Sequence, residues 1–129
     1  MIQLKSIHHI AIICTDYPVS KAFYTQVLGL SLLQEVYREE RDSYKADLAL
    51  NGTYVIELFS FSNVPVRLSF PEAAGLRHLA FEVDDVDAAR QELLKHNVAV
   101  QEIRVDEHTG KRFCFFNDPD GLPLELYER

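Results

Sequence analysis

Two stretches decide the fold. They are "HHIAIICTDYPVSKAFYTQVLGLSLL", residues 8–33, and "RHLAFEVDDVDAARQELLKHNVAV", residues 77–100. Each opens on an apolar, strand-like run that carries a histidine, His9 and His78. Each then reaches an aspartate at the same interval, Asp16 and Asp85. An aspartate at such a place reads as a helix N-cap, its carboxylate accepting hydrogen bonds from the free amides of the first turn. Pro18 fits the first turn, where its missing N–H costs nothing. Val19, Ala22, Phe23 and Val27 then fall on one helical face, as do Val86, Ala89 and Leu93, with His96 at the helix end. Gly29 and Asn97 suit the left-handed residue that closes a helix.

The segments after the two helices also match. Strand-like runs lie near 31–37, 44–50 and 54–60, with Asn51-Gly52 as a hairpin turn. After the second helix the runs lie near 98–105, 112–117 and 122–128, with Asp118-Pro119-Asp120-Gly121 supplying the last turn. Each half therefore reads βαβββ. The expected class is α+β, with two tandem βαβββ modules at about 4–60 and 76–129 in a single domain spanning 1–129. Residues 61–75, with Pro65, Pro71 and Gly75, read as the linker. Two copies are too few for a solenoid.

Composition narrows the function classes. The chain has 129 residues, a 47% hydrophobic share and a formal net charge of -7. That apolar share is enough for a core, and the acidic balance repels phosphate backbones, so nucleic acid is not expected as a partner. No basic cluster points to an anionic membrane. No apolar run approaches the ~20 residues of a membrane span. The amino terminus lacks the apolar core and cleavage site of a signal peptide. Cys14 and Cys114 sit in apolar contexts and read as reduced, buried thiols, so a cytoplasmic location is expected.

Polar residues interrupt the strands in a repeated way. In "TYVIELF" Glu57 lies between Ile56 and Leu58, and in "LPLELY" Glu125 lies between Leu124 and Leu126. The leucines beside Glu125 face a helix layer, which turns the carboxylate to the opposite side of the sheet. Each half thus contributes one histidine from its first strand and one glutamate from its last. An ionised carboxylate in a mostly buried strand costs several kcal/mol unless it is paired or metal-bound. Two imidazoles and two carboxylates suit a borderline divalent ion, octahedral with two positions left to water. His9, Glu57, His78 and Glu125 are therefore the expected metal ligands. A lone strand histidine or glutamate is ordinarily structural or solvated; the repetition carries the argument. Strand alternation sends His8 and His9 to opposite faces, so His8 is expected to pack near the helix layer or cap the strand. His108, in "DEHTGKR", reads as solvated.

The segments "HHIAI", "FYTQVLGL", "YVIEL", "RHLAFEV" and "DPDGLPLEL" resemble the vicinal oxygen chelate superfamily, and within it the glyoxalase I-like proteins. The resemblance covers almost the whole chain. It implies paired βαβββ modules curling into a mixed sheet around a divalent metal (Ni, Zn or Co, with Mn and Fe as further candidates). It places His9, Glu57, His78 and Glu125 at the ligand positions, and His9 rather than His8 by its interval to Asp16. It implies a metal-dependent lyase or isomerase of the glyoxalase I type, acting on a small oxo-compound or its thiol adduct through an enediolate. Glu125 is then the proton shuttle, with Glu57 sharing that work.

Two departures bear on the substrate. Glyoxalase I usually carries an arginine where Ile13 stands and an asparagine where Phe61 stands, both used to grip glutathione. Neither side chain here pairs with a charged tripeptide tail. The metal chemistry thus reads as retained and glutathione use as doubtful. Lys111 and Arg112 are the expected residues for some other anionic substrate group, against the alternative of a solvated loop pair. Alternative functions are an epimerase, an Fe(II) dioxygenase and a non-enzymatic small-molecule or drug-binding module. A homodimer is the expected assembly.

Overall fold

The computed structural model describes all 129 residues, Met1 to Arg129. They form two compact units, Met1–Val66 and Arg67–Arg129. The first unit runs β1 (Ile10–Cys14), α1 (Tyr17–Ala22), a π-helical turn (Phe23–Val27), β2 (Ser31–Arg38), β3 (Ser43–Leu50) and β4 (Thr53–Ser60). The second runs β5 (Leu79–Val83), α2 (Val86–Lys95), β6 (Arg104–Val105), β7 (Arg112–Asn117) and β8 (Pro123–Glu128). Each unit is βαβββ and each holds one four-stranded mixed sheet. The strand orders are β1-β4-β3-β2 and β5-β8-β7-β6, with the first pair of each parallel and the rest antiparallel. No helix is long and apolar enough to cross a membrane.

The local signals act as their chemistry requires. Asp16 Oδ1 accepts from the Val19 amide at 3.3 Å and Asp85 Oδ1 from the Ala88 amide at 3.0 Å, so both helices are capped. Asn51 and Gly52 both take positive φ, 50° and 83°, which a two-residue hairpin needs for its twist to match the strands. In the last turn the buried Asp118 carboxylate accepts from the Asp120 and Leu122 amides, each at 2.9 Å. Gly29 and Asn97 are left-handed, at φ 77° and 61°.

Period-two burial sorts the sheet faces. Ile12, Cys14, Ile56, Leu58, Ala46 and Leu48 fill one face of the first sheet, and Cys114, Phe116, Leu124 and Leu126 one face of the second. Helix α2 buries Val86 and Leu93. Emptying the space of a fully buried leucine such as Leu58 or Leu124 costs about 2–5 kcal/mol.

Three expectations need correction. The buried stripe of the first helix is Tyr17, Ser20, Phe23 and Tyr24, while Val19 is half exposed. The π-turn, closed by the Leu28 amide on the Phe23 carbonyl at 3.0 Å, breaks the 3.6-residue phase, and aromatic bulk outweighs the hydroxyl of Tyr24. The run at 98–105 is ladder only at Arg104–Val105, with a single bridge from Val100 to Phe116. There Arg90 Nε takes the Gln101 carbonyl at 2.9 Å. Finally, β1 and β5 begin at Ile10 and Leu79, so His8, His9 and His78 precede the ladders instead of lying within them.

Candidate metal centre

In the first unit the register sets Glu57 of β4 between Ala11 of β1 and Asp47 of β3. Residues paired this way point to the same side. The His9 ring stacks on Tyr54 at 5.1 Å between centroids, which aims Nε2 at Glu57 Oε1, 3.8 Å away. Because His8 and His9 lie outside the ladder, alternation does not separate them: their Nδ1 atoms meet at 2.9 Å. His8 also sits edge-on to Tyr54 at 5.3 Å. It therefore orients His9, and does not pack under the helix.

Glu57 belongs to a polar network. Tyr54 Oη lies 2.9 Å from Asp47 Oδ1 and 3.2 Å from Glu57 Oε2. Lys45 Nζ lies 3.0 Å from Asp47 Oδ1 and 3.4 Å from Glu57 Oε2. The hydrogen bond to Asp47, with Glu57 adding to it, pushes the Lys45 ammonium above its ordinary value. Burial first, and then the two carboxylates, push the Tyr54 phenol up as well. One ammonium faces two carboxylates, which leaves the cluster with surplus negative charge.

The second unit repeats the pair in different surroundings. Glu125 of β8 stands between Ala80 of β5 and Phe115 of β7. His78 Nε2 lies 3.0 Å from Glu125 Oε2, and its ring meets Phe115 edge-on at 5.0 Å. Glu125 is only 8% exposed. Where Asp47 flanks Glu57, a phenyl ring flanks Glu125, and no lysine ion-pairs with it and no tyrosine hydrogen-bonds to it.

The structure thus brings His9 to Glu57 and His78 to Glu125. Within either unit the ligand-type side chains come as a pair, and no group of three or more gathers to hold an ion. The donors fit a divalent cation: two ligands of one ion, each at about 2.0–2.2 Å, hold their donor atoms about 3 Å apart, close to the separation in the second pair. The nitrogen left free by the His8 contact is the one that faces the carboxylate, the tautomer logic of a metal-bound imidazole.

Lys111 and Arg112 are engaged elsewhere. Lys111 Nζ reaches the Arg129 carbonyl at 2.9 Å, and Arg112 grips Asp87 with two bonds at 2.8 and 3.0 Å and approaches Glu128 at 3.7 Å. Arg112 precedes Phe113 on β7 and so points to the opposite face, toward Asp87 of α2. Phe61 stacks on Phe59 at 5.7 Å beneath the Arg38 and Arg41 guanidiniums, and Ile13 is 51% exposed. Sequence reasoning missed Lys45, Asp47 and Tyr54. The alternation "KADL" over 45–48 was the signal, since it places two charges on the face of the sheet that also holds Glu57.

The model of the Glyoxalase/Bleomycin resistance protein/Dioxygenase superfamily matches residues 6–126. The chain belongs to this superfamily. Among its relatives is the uncharacterized protein YaeR of Escherichia coli (strain K12), 69% identical over 129 residues, with 100% of both chains covered. The solved structure of a glyoxalase family protein from Enterococcus faecalis is 44% identical with a TM-score of 0.90, covering 96% of this chain and 98% of that one. Mitochondrial methylmalonyl-CoA epimerase of Homo sapiens is 28% identical over 131 residues, covering 96% of this chain and 74% of the relative. Membership in this superfamily, a vicinal oxygen chelate group, agrees with the resemblance read from "HHIAI" and "DPDGLPLEL".

Proposed function

We propose that the chain is a metal-dependent lyase or isomerase of the glyoxalase I type, acting on a small oxo-compound or its thiol adduct. His9, Glu57, His78 and Glu125 are the residues that would hold a divalent cation. When bound, the cation supplies Lewis acidity that favours negative charge on neighbouring substrate oxygens. The duplicated histidine–glutamate pair is the observation that supports this reading.

The surroundings of the two glutamates divide their work. Lys45 and Tyr54 fix Glu57 in place. Glu125 has His78 alone, against a wall of Phe115 and Ala80. Glu125 is the carboxylate with fewer hydrogen-bonding partners to hold it, and its burial limits solvation. In the proposed reaction Glu125 takes the proton from the hydroxyl-bearing carbon and returns it to the neighbouring carbonyl carbon, while the hydroxyl proton passes from the first carbon's oxygen to the second's, so the isomerisation loses no atoms. His78 holds the carboxylate in position.

A panel of hemithioacetals, with glutathione and with simpler thiols, tests the reaction in deuterated buffer with Ni, Co, Zn, Mn or Fe. Product carrying solvent deuterium at the new C–H supports the proposal. Absence of both turnover and exchange across the panel, with metal shown to be bound, overturns it. Similarity to an epimerase favours a second reading, in which exchange is accompanied by inversion at one carbon and no new product. The same reading has the chain acting as a cytoplasmic homodimer. The edge strand β2, with Leu32, Leu33, Val36 and Tyr37 exposed, supports the second copy. Light scattering tests it.

A further inference from the structure

Arg104 opens β6 in the second unit, paired with Phe113 of β7. Its guanidinium lies over the Phe113 ring at 5.0 Å and the Phe115 ring at 5.6 Å. It has neither an ion pair nor a hydrogen bond within the chain. Most other arginines are committed: Arg67 to the Leu76 and Arg77 carbonyls, Arg90 to the Gln101 carbonyl, Arg112 to Asp87 and Arg129 to Glu82. The acids that share its surroundings are committed too. Asp106 accepts from Tyr127 Oη at 2.9 Å and the His108 amide at 2.9 Å, and Glu107 pairs with His108 at 3.7 Å.

This free cation lines a cavity. A space of about 600 Å³ is bounded by Arg104, His78, Phe115, Phe70, Gln101 and Asn117. An adjoining space of about 470 Å³ is lined by Arg104, His78 and Glu125 among others. Arg104 and His78 rest against the same Phe115 ring, one over its face and the other on its edge. A ligand a few carbons long can therefore touch both the reacting pair and the guanidinium.

We infer that Arg104 anchors a carboxylate on the substrate, so that the second unit's cavity takes a small carboxylic acid with its oxo-bearing end toward His78 and Glu125. A guanidinium fork matches a carboxylate with two parallel N–H···O bonds. The two phenyl rings hold the guanidinium plane in advance, which lowers the entropy lost on binding. The cavity offers the unpaired Arg104 guanidinium with the amides of Gln101 and Asn117, in a chain of net charge -7; its second guanidinium, Arg77, is engaged by Glu72 at 3.9 Å and the Ser69 carbonyl at 3.5 Å. With Arg77 so engaged, that supply suits one negative charge better than the two of a phosphate monoester. Volume and lining accommodate an apolar stem against Phe70 and Phe115.

The inference rests on the reading of His78 and Glu125 as the reacting end of the site, but the binding does not require metal. The full chain, as purified and after chelation, is titrated with butyrate, butyramide and inorganic phosphate. The Arg104 Nε–Hε signal and the backbone amides are followed by NMR. Butyrate is expected to shift the Arg104 signal and saturate in both preparations, with butyramide inert and phosphate weaker. Arg104→Gln is expected to weaken butyrate binding more than tenfold, Arg104→Lys to restore part of it, and Arg112→Gln to leave it unchanged. Equal butyrate affinity in wild type and a well-dispersed Arg104→Gln variant, equal binding of butyramide, or tighter binding of phosphate overturns the inference. Butyrate binding without any turnover on the hemithioacetal panel sinks the reaction assignment alone.

Discussion

His8 and His9 meet through their Nδ1 atoms at 2.9 Å, leaving His9 Nε2 turned toward Glu57. One nitrogen must donate and the other accept; with His9 Nδ1 as the donor, His9 Nε2 carries no proton and is free to ligate. Removing the partner of a ligating histidine costs about 10–100-fold in metal affinity. His8→Ala is expected to weaken Zn or Ni binding about tenfold without changing the melting temperature, and His8→Asn to recover part of the loss. Calorimetric titration of the metal-free chain measures both. Unchanged affinity in His8→Ala removes the orienting role.

The unequal flanks of the two glutamates predict unequal consequences. Glu125→Gln is expected to lower kcat by about 10²–10⁴-fold, the usual worth of a positioned acid–base group. Tyr54→Phe, which loosens Glu57 and leaves Glu125 alone, is expected to weaken metal binding with a much smaller effect on kcat at saturating metal. Steady-state kinetics across a metal titration separate the two. The assignment of roles is reversed if Tyr54→Phe lowers kcat as far as Glu125→Gln does.

Glu35 gives a pH dependence. The hydrogen bond from Lys21, at 2.7 Å, and then that from Tyr17 hold its carboxyl below the ordinary glutamate value of 4.5. A carboxylate whose folded pKa is depressed binds its proton more readily when unfolded. Its stabilisation is therefore complete above about pH 4.5 and is lost as the pH falls through the lower folded value. Lys21 and Glu35 are both about a third exposed, so screening limits the effect to about 1 kcal/mol. Urea unfolding is expected to show Glu35→Gln less stable than wild type at pH 7, with the gap narrowing as the pH falls below 4.5. A gap that does not narrow with acid points to packing as its source.

Burial, as the main cause, pushes the Cys114 thiol up, and Cys14 donates to the Phe59 carbonyl at 3.2 Å. Both are buried and free of any disulfide. Burial keeps both sulfurs from solvent, so an aromatic disulfide reagent is expected to label no thiol on the native chain and both after denaturation. Rapid labelling at pH 7.5 contradicts this placement.

The Asp118 carboxylate, buried between β7 and β8, caps the turn through two amides. Asp118→Ala leaves those amides unpaired in a buried site and is expected to cost about 1–3 kcal/mol. Asp118→Asn is expected to cost less, since the amide oxygen still accepts. Denaturant midpoints compare the three chains.

The duplicated element order and both helix caps were legible because each rests on a few neighbouring residues. Asp16 and Asp85 cap the helices that begin right after them, and Asn51-Gly52 turns because of its own backbone freedom. The phase of the first helix was not legible, since a π-turn changes which side chains face the sheet without changing the residues. Repetition singled out His9, Glu57, His78 and Glu125, but alternation did not place the histidines, which precede the ladders. The neighbours of the two glutamates were not legible, because Asp47 reaches Glu57, and Phe115 reaches Glu125, only through cross-strand register.

By itself the sequence determined that this chain folds as two βαβββ units and that each repeats a histidine at its first strand and a glutamate in its last. Those facts follow from capping, turn chemistry and hydrophobic period, all short-range. Only the tertiary structure decided that one glutamate sits among donors and the other against a phenyl ring, that Arg112 is spent on Asp87, and that Arg104 faces a cavity unpaired. These outcomes depend on which distant residues the strand ladders bring side by side, and a one-residue change of register would exchange every one of those neighbours.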